Sequence, residues 1–124
     1  MPTHFEIDHA RRLVRSTSIG RLTDEDLRAH NRGLIDSSDF DPAYRHLWDV
    51  RGVTELDVTS DGLRSAKGSS PWTKHTRRAF VCGSDEVFGV ARMAEMLNDE
   101  GPSEICVFRD MSEATGWLGP DLID

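Results

Sequence analysis

The chain has 124 residues, enough for one domain and too few for two independent cores. Hydrophobic residues make up 37% and charged residues 30%, a polar but foldable balance that excludes a disordered chain. Against 22 Asp and Glu stand 15 Lys and Arg, and the net charge of −7 repels phosphate backbones and anionic lipid, which argues against nucleic-acid or membrane-surface binding. No apolar run approaches the roughly 20 residues that span a bilayer. The start, Met1-Pro2-Thr3-His4-Phe5-Glu6, lacks the pattern of a signal peptide, and Cys82 and Cys106 are too few for a disulfide framework. The expectation is a cytoplasmic protein with residues 1–119 as a single domain and 120–124 as a flexible tail.

Thr3 to Asp8 alternates, with Phe5 and Ile7 on one face, and Arg11 to Ile19 continues the period of two. The short link Asp8-His9-Ala10 predicts an antiparallel hairpin, with Leu13, Thr17 and Ile19 on a shared face and Gly20 ending the second strand. Thr23 and Asp26 have the spacing of a capping box, and acidic residues 24–26 suit the positive end of a helix dipole. Leu27, Asn31, Leu34 and Ile35 then fall at helical spacing toward the sheet, and residues 36–42 read as a loop.

Tyr44 to Val50 reads as an interior strand, Leu47 on one face and Trp48 and Val50 on the other. Val53 to Val58 is either its extension or an ordered loop. Thr59-Ser60-Asp61 offers N-cap chemistry for a short helix with Leu63 and Ala66, and Gly68 to Lys74 is a loop carrying an exposed Trp72. Two similar units follow. Arg78 to Cys82 is an apolar strand, and Ser84 caps a helix to about Asn98 with Val87, Val90, Ala91, Ala94 and Leu97 inward. Ile105 to Phe108 is again an apolar strand, and Asp110 with Glu113 caps a last helix through Ala114, Trp117 and Leu118, stopped by Gly119 and Pro120. The pattern predicts an α/β fold: a mixed, mostly parallel sheet with an N-terminal antiparallel hairpin, about four helices and right-handed crossovers.

This element order resembles the STAS domain of anti-sigma factor antagonist (SpoIIAA-like) proteins, most of all the small stand-alone bacterial proteins of STAS/SEC14 type. The matching stretches are Gly20-Arg21-Leu22-Thr23, Leu47-Trp48-Asp49-Val50-Arg51, Phe88-Gly89-Val90-Ala91-Arg92-Met93 and Val107-Phe108-Arg109-Asp110 with residues 114–118. They are strand ends, caps and core positions, so the resemblance implies a fold and a regulatory or protein-interaction module rather than a chemistry. In signalling members of the family, a Ser before Gly-Leu at the start of a helix accepts phosphate. The corresponding segment here is Thr59-Ser60-Asp61-Gly62-Leu63, which puts Asp61 in the acceptor's place and a permanent charge at the helix start. Thr59, Ser60 and Asp61 are thus the candidate regulatory position, although capping is the simpler account of a Ser or Thr there.

Ligands of open α/β sheets gather outside the carboxyl ends of the parallel strands, where Asp49 and Arg51, Gly83 and Ser84, and Arg109 and Asp110 are expected. Asp61, Asp85 and Glu86 in the first helical turns repel an anion, and an internal network of caps and ion pairs, Arg51 with Asp49 and Arg109 with Asp110, is the simpler reading. The five histidines show no metal-ligand spacing, Cys82 and Cys106 read as buried strand residues, and no Gly-rich phosphate loop occurs. Neither a cofactor nor a metal is expected. Arg92 reads either as a surface side chain reaching Glu95 or as part of a groove with Trp72, Phe88, Met93 and Met96. The sequence therefore favours a non-enzymatic regulatory module with an unknown protein partner and a possible homodimer face at Phe88 to Met96. Its alternative is a binder of a small apolar or amphipathic, lipid-like ligand.

Overall fold

The computed structural model describes residues 3–73, 75–98 and 103–122. Its elements in chain order are β1 (Thr3–Asp8), β2 (Leu13–Thr23), α1 (Asp24–Asp36), β3 (Arg45–Asp57), α2 (Ser60–Gly68), β4 (Thr76–Val81), α3 (Asp85–Leu97), β5 (Ser103–Phe108) and α4 (Met111–Leu118), followed by a 3-10 turn at Pro120–Leu122. Lys74 of the expected loop and positions 123–124 of the expected tail lie outside the described residues.

The five strands lie in the order β1-β2-β3-β4-β5, with β1 antiparallel to β2 and the rest parallel. A parallel sheet that grows in one direction through right-handed crossovers puts every crossover helix on one face. Leu27 of α1, Leu63 and Ala66 of α2, and Val87 and Ala91 of α3 accordingly meet Trp48, Val50, Phe80 and Val107 on that face. α4 returns beneath the sheet, where Ala114 and Leu118 pack on Leu13, Leu47, Ala79 and Val81. The period-2 pattern of β3 and β4 follows from this double covering: Leu47, Ala79 and Val81 face α4, while Trp48, Val50, Phe80 and Cys82 face the crossover helices.

The helix starts agree with their sequences. Thr23 and Asp26 form the reciprocal capping box of α1, Ser84 accepts from the Val87 amide, and Asp110 accepts from the Glu113 amide.

Several expectations change. Gly20 does not end β2: its φ of +71° accompanies register shifts against β3, and the strand continues to Thr23 through these irregularities. Residues 53–57 are strand, the extension of β3 that pairs with the far half of β2. Ile19 and Ile35 are exposed rather than inward, and the α1 face that meets the sheet includes His30. Trp72 is buried, only 3% exposed, against Val14 and Leu34. Its loop folds back onto the start of β3: the amide and hydroxyl of Thr73 and the hydroxyl of Thr76 all donate to the Pro42 carbonyl, which carries the indole inward.

The tail is also part of the fold as far as it is described. Leu122 is 4% exposed in the lower core, and Asp121 makes a two-pronged ion pair with Arg45 at 2.8 Å. Leu122→Ala is expected to cost about 2–4 kcal/mol in urea unfolding. A cost near zero would return residues 120–122 to the status of a loose tail.

Candidate functional site

The carboxyl ends of the parallel strands, where ligands of open sheets usually gather, are closed by internal pairing. Arg51 donates through Nε and Nη2 to Asp49 at 3.0 and 2.9 Å, and these bonds hold the Asp49 carboxyl below its usual range. Arg109 donates to Asp85 at 2.7 Å and lies over the Phe88 ring, so its partner is not Asp110, which caps α4. Thr59, rather than Ser60, is the N-cap of α2. The Asp24 carboxylate accepts from the Thr59 amide at 2.9 Å and its hydroxyl at 2.6 Å, which lowers the Asp24 pKa. A Cβ on Gly62 would overlap that carboxylate, so this glycine is what permits the approach. Ser60 and Asp61 remain exposed, Asp61 beside Arg64 at 3.3 Å.

The groove expected to join Arg92, Phe88, Met93 and Met96 to Trp72 does not form. Arg92 pairs with Glu95 at 3.0 Å, Phe88 packs on the upper core, and Met96 is 71% exposed. Trp72 belongs to a different cluster, because a large indole in a loop hydrogen-bonded to Pro42 is better buried beside Val14 and Leu34 than left in water.

What the structure does bring together is a buried polar chain at the opposite, amino ends of the parallel strands. Registered pairs place Val14, His46, Arg78 and Ile105 in one row across β2 to β5, and Ser16, Trp48, Phe80 and Val107 in the next. Arg78 is 7% exposed, and its Nε donates to His46 Nδ1 at 3.2 Å. Ser16 Oγ lies 2.8 Å from His46 Nε2 and 2.7 Å from His30 Nε2. A guanidinium only donates, so the direction of the whole chain is fixed. His46 accepts at Nδ1 and carries its proton on Nε2, which donates to Ser16. Ser16 then donates to His30 Nε2, leaving the His30 proton on Nδ1, an atom with no partner among the described residues. Ring stacking rigidifies the chain: His30 lies 4.2 Å from Trp48 and His46 4.5 Å from Trp72, while the Arg78 guanidinium sits over Trp72 at 5.1 Å and Phe80 at 5.3 Å.

Between this chain and the crossover helices runs an apolar trench. Leu27, Trp48, Leu63, Phe80 and Ala94 line two adjoining cavities of about 70 and 60 Å³. One end is wholly apolar, with Leu22, Val50, Leu56, Val58, Val87 and Val90. The other end holds Arg78 with Asn31, Lys67, Ser70 and Asn98. None of the described residues lining either cavity is an Asp or a Glu.

The hydrophobic pattern of β3 and β4 contained a signal for this site. His46 and Arg78 occupy inward positions of strands whose next inward residues are Trp48 and Phe80. Their convergence with Ser16 and His30 depends on strand register and was not readable from local spacing. Cys82 is buried as expected but lies just past the end of β4, and Cys106 of β5 is half-buried rather than buried; burial raises the Cys82 thiol to about 11 and raises Cys106 as well. Among the described residues no group of His, Cys, Asp and Glu has the arrangement of a metal site, and no helix is long and apolar enough to cross a membrane.

Burial, and then the charge of Arg78, push His30 down to about 3; the same two causes, followed by His30 itself, hold His46 well below its usual value. Both rings are neutral in the fold but bind protons in the unfolded chain below pH 6.5, so stability is full above that pH and declines as pH falls toward 3. From pH 7 to 5.5, where carboxylates barely titrate, the pair is expected to cost about 2.5 kcal/mol. Urea unfolding at the two pH values measures this, and an unchanged midpoint would mean that the rings are not buried as described.

No family model and no curated protein matches the chain. A crystal structure of an uncharacterized protein from the DUF3478 family, with a SpoIIAA-like fold, from Shewanella loihica PV-4 is similar to it. The match has a TM-score of 0.56 at 21% identity and covers 94% of this chain and 93% of that one. With four helices on a five-stranded sheet whose first pair is antiparallel, the chain has the SpoIIAA-like (STAS) α/β fold.

Proposed function

We propose that the protein is a non-enzymatic binding module that admits a small, largely apolar molecule to the trench between α1, α2, α3 and the Trp48–Phe80 face. One observation carries this reading. Protein interiors are close-packed, yet here three helices leave Leu56, Leu63, Ala66, Ala94 and Ile105 only half-buried around two adjoining cavities. Their volumes of about 70 and 60 Å³ are well below the roughly 300–1,000 Å³ of sites for drug-sized ligands and nearer the ~150 Å³ that admits benzene. The ligand body is therefore of the order of a ring or a short chain, and anything larger requires α2 to move outward.

Two side chains that resemble activated nucleophiles are out of a ligand's reach. Ser16, although flanked by two imidazoles, is 1% exposed, and the Cys82 thiol is buried and held protonated. Regulation fits the same geometry. Leu63 and Ala66 of α2 form one wall of the trench, and the first turn of that helix presents Ser60 and Asp61 to solvent. A ligand that presses on Leu63 thus acts on the helix that offers the candidate switch position to a protein partner.

Titration with 1-hexanol, followed by ¹⁵N–¹H NMR, tests the reading. The expected shifts cluster on Leu63, Ala66, Ala94 and the Trp48 indole, and Ala94→Leu, which fills the trench from α3, weakens binding about ten-fold or more while the dispersed spectrum is kept. Shifts scattered over the surface, or binding unaffected by Ala94→Leu, would overturn it.

A further inference from the structure

The polar end of the trench has a chemistry that its apolar walls do not explain. Arg78 is buried with no carboxylate among the described residues to offset its charge, and burial alone lowers its pKa to about 9, so the group remains a cation at neutral pH. Nε is committed to His46, while the Nη hydrogens have no acceptor among the described residues. Trp72 and Phe80 flank the guanidinium, and the chain through His46, Ser16 and His30 fixes its Nε edge. The side chain is therefore preorganised to present its Nη edge without ordering anything further.

The surroundings have the same sign. In a protein with 22 acidic residues, the lining of this cavity contains Arg78 and Lys67 and no acid among the described residues. The last residues of α2 and α3 supply Lys67 and Asn98 there, so two helix carboxyl ends also point toward this region. Each such end amounts to roughly half a negative charge. Two full positive charges outweigh them, and only Arg78 is buried.

We propose that the ligand of the trench is an amphipathic carboxylate, its carboxyl group paired with the Nη edge of Arg78 and its short apolar body lying along Trp48, Phe80 and Ala94. This rests on the trench being a binding site, and deepens that reading by naming the ligand's head group. A monoanion suits one buried cation; a phosphate monoester brings a second charge that only the exposed Lys67 is placed to meet.

Calorimetric titration with hexanoate, 1-hexanol and hexyl phosphate separates the possibilities. Hexanoate is expected to bind about 10- to 100-fold tighter than 1-hexanol. Arg78→Met abolishes that preference and leaves 1-hexanol binding in place, while Arg78→Lys, which keeps the charge but not the planar fork, retains part of it. Should Arg78→Met fail to fold, a selective weakening of hexanoate by Arg78→Lys carries the test. If 1-hexanol binds the native protein as tightly as hexanoate, or Arg78→Met keeps the preference, the carboxylate assignment is wrong and the trench stands. Tighter binding of hexyl phosphate would likewise overturn the carboxylate. If none of the three binds, the trench reading falls, and this proposal with it.

Discussion

A positive charge held inside a sheet-and-helix sandwich, with no carboxylate beside it among the described residues, organises much of this structure. Taking a guanidinium out of water costs several kcal/mol when no opposite charge accompanies it. The fold offsets part of that cost with two aromatic faces, Trp72 and Phe80, and one neutral imidazole acceptor on His46. From that contact the proton positions of His46, Ser16 and His30 follow, because His46 must accept at Nδ1 and so donates from Nε2 to Ser16, whose own proton then goes to His30. Neutral imidazoles beside a buried cation also reinforce one another: the charge on Arg78 is one reason that neither ring binds a proton.

The location of this cluster departs from the usual rule for open α/β sheets. The carboxyl ends of the strands are normally the open, ligand-accepting side. Here Asp49 with Arg51, Arg109 with Asp85, and the caps at Thr59, Ser84 and Asp110 satisfy one another there. The unmatched polarity lies at the amino ends, under the last turns of α2 and α3. Gly62 contributes to this arrangement, because the contact it permits between Asp24 and Thr59 ties the start of α2 to α1 and leaves the middle of the helix, with Leu63 and Ala66, to roof the trench.

Periodicity and capping residues carried most of the fold. Alternation in β1, the inward stripes of α1 and α3, and the Thr23, Ser84 and Asp110 caps are local signals, and local physics decides them. The family resemblance drew on the same positions and extended to the architecture. The errors fall where distant contacts decide. Trp72 looked exposed because its neighbours Ser69, Ser70 and Pro71 are loop-formers, yet hydrogen bonds to Pro42, some 30 positions away, turn it inward. The polar chain was missed because Ser16, His30, His46 and Arg78 come from four elements and meet only through strand register and the placement of α1. Arg78 and His46 were nonetheless legible as polar residues at inward positions of apolar strands, a conflict between residue type and pattern that marks a site for closer inspection.

Glu95 has a consequence for the outer edge of the sheet. Its carboxylate accepts the Val107 amide of β5 at 3.2 Å while pairing with Arg92 on the adjoining helical turn. β5 is the outermost strand of its side of the sheet, and an outer strand with bare amides is a template on which another chain can zip. A side chain already seated on that amide takes the place a foreign carbonyl would need, and the neighbouring arginine holds it in position. At Val107 the molecule thus closes its open border with a latch from its own helix, which opposes extension of the sheet at that point.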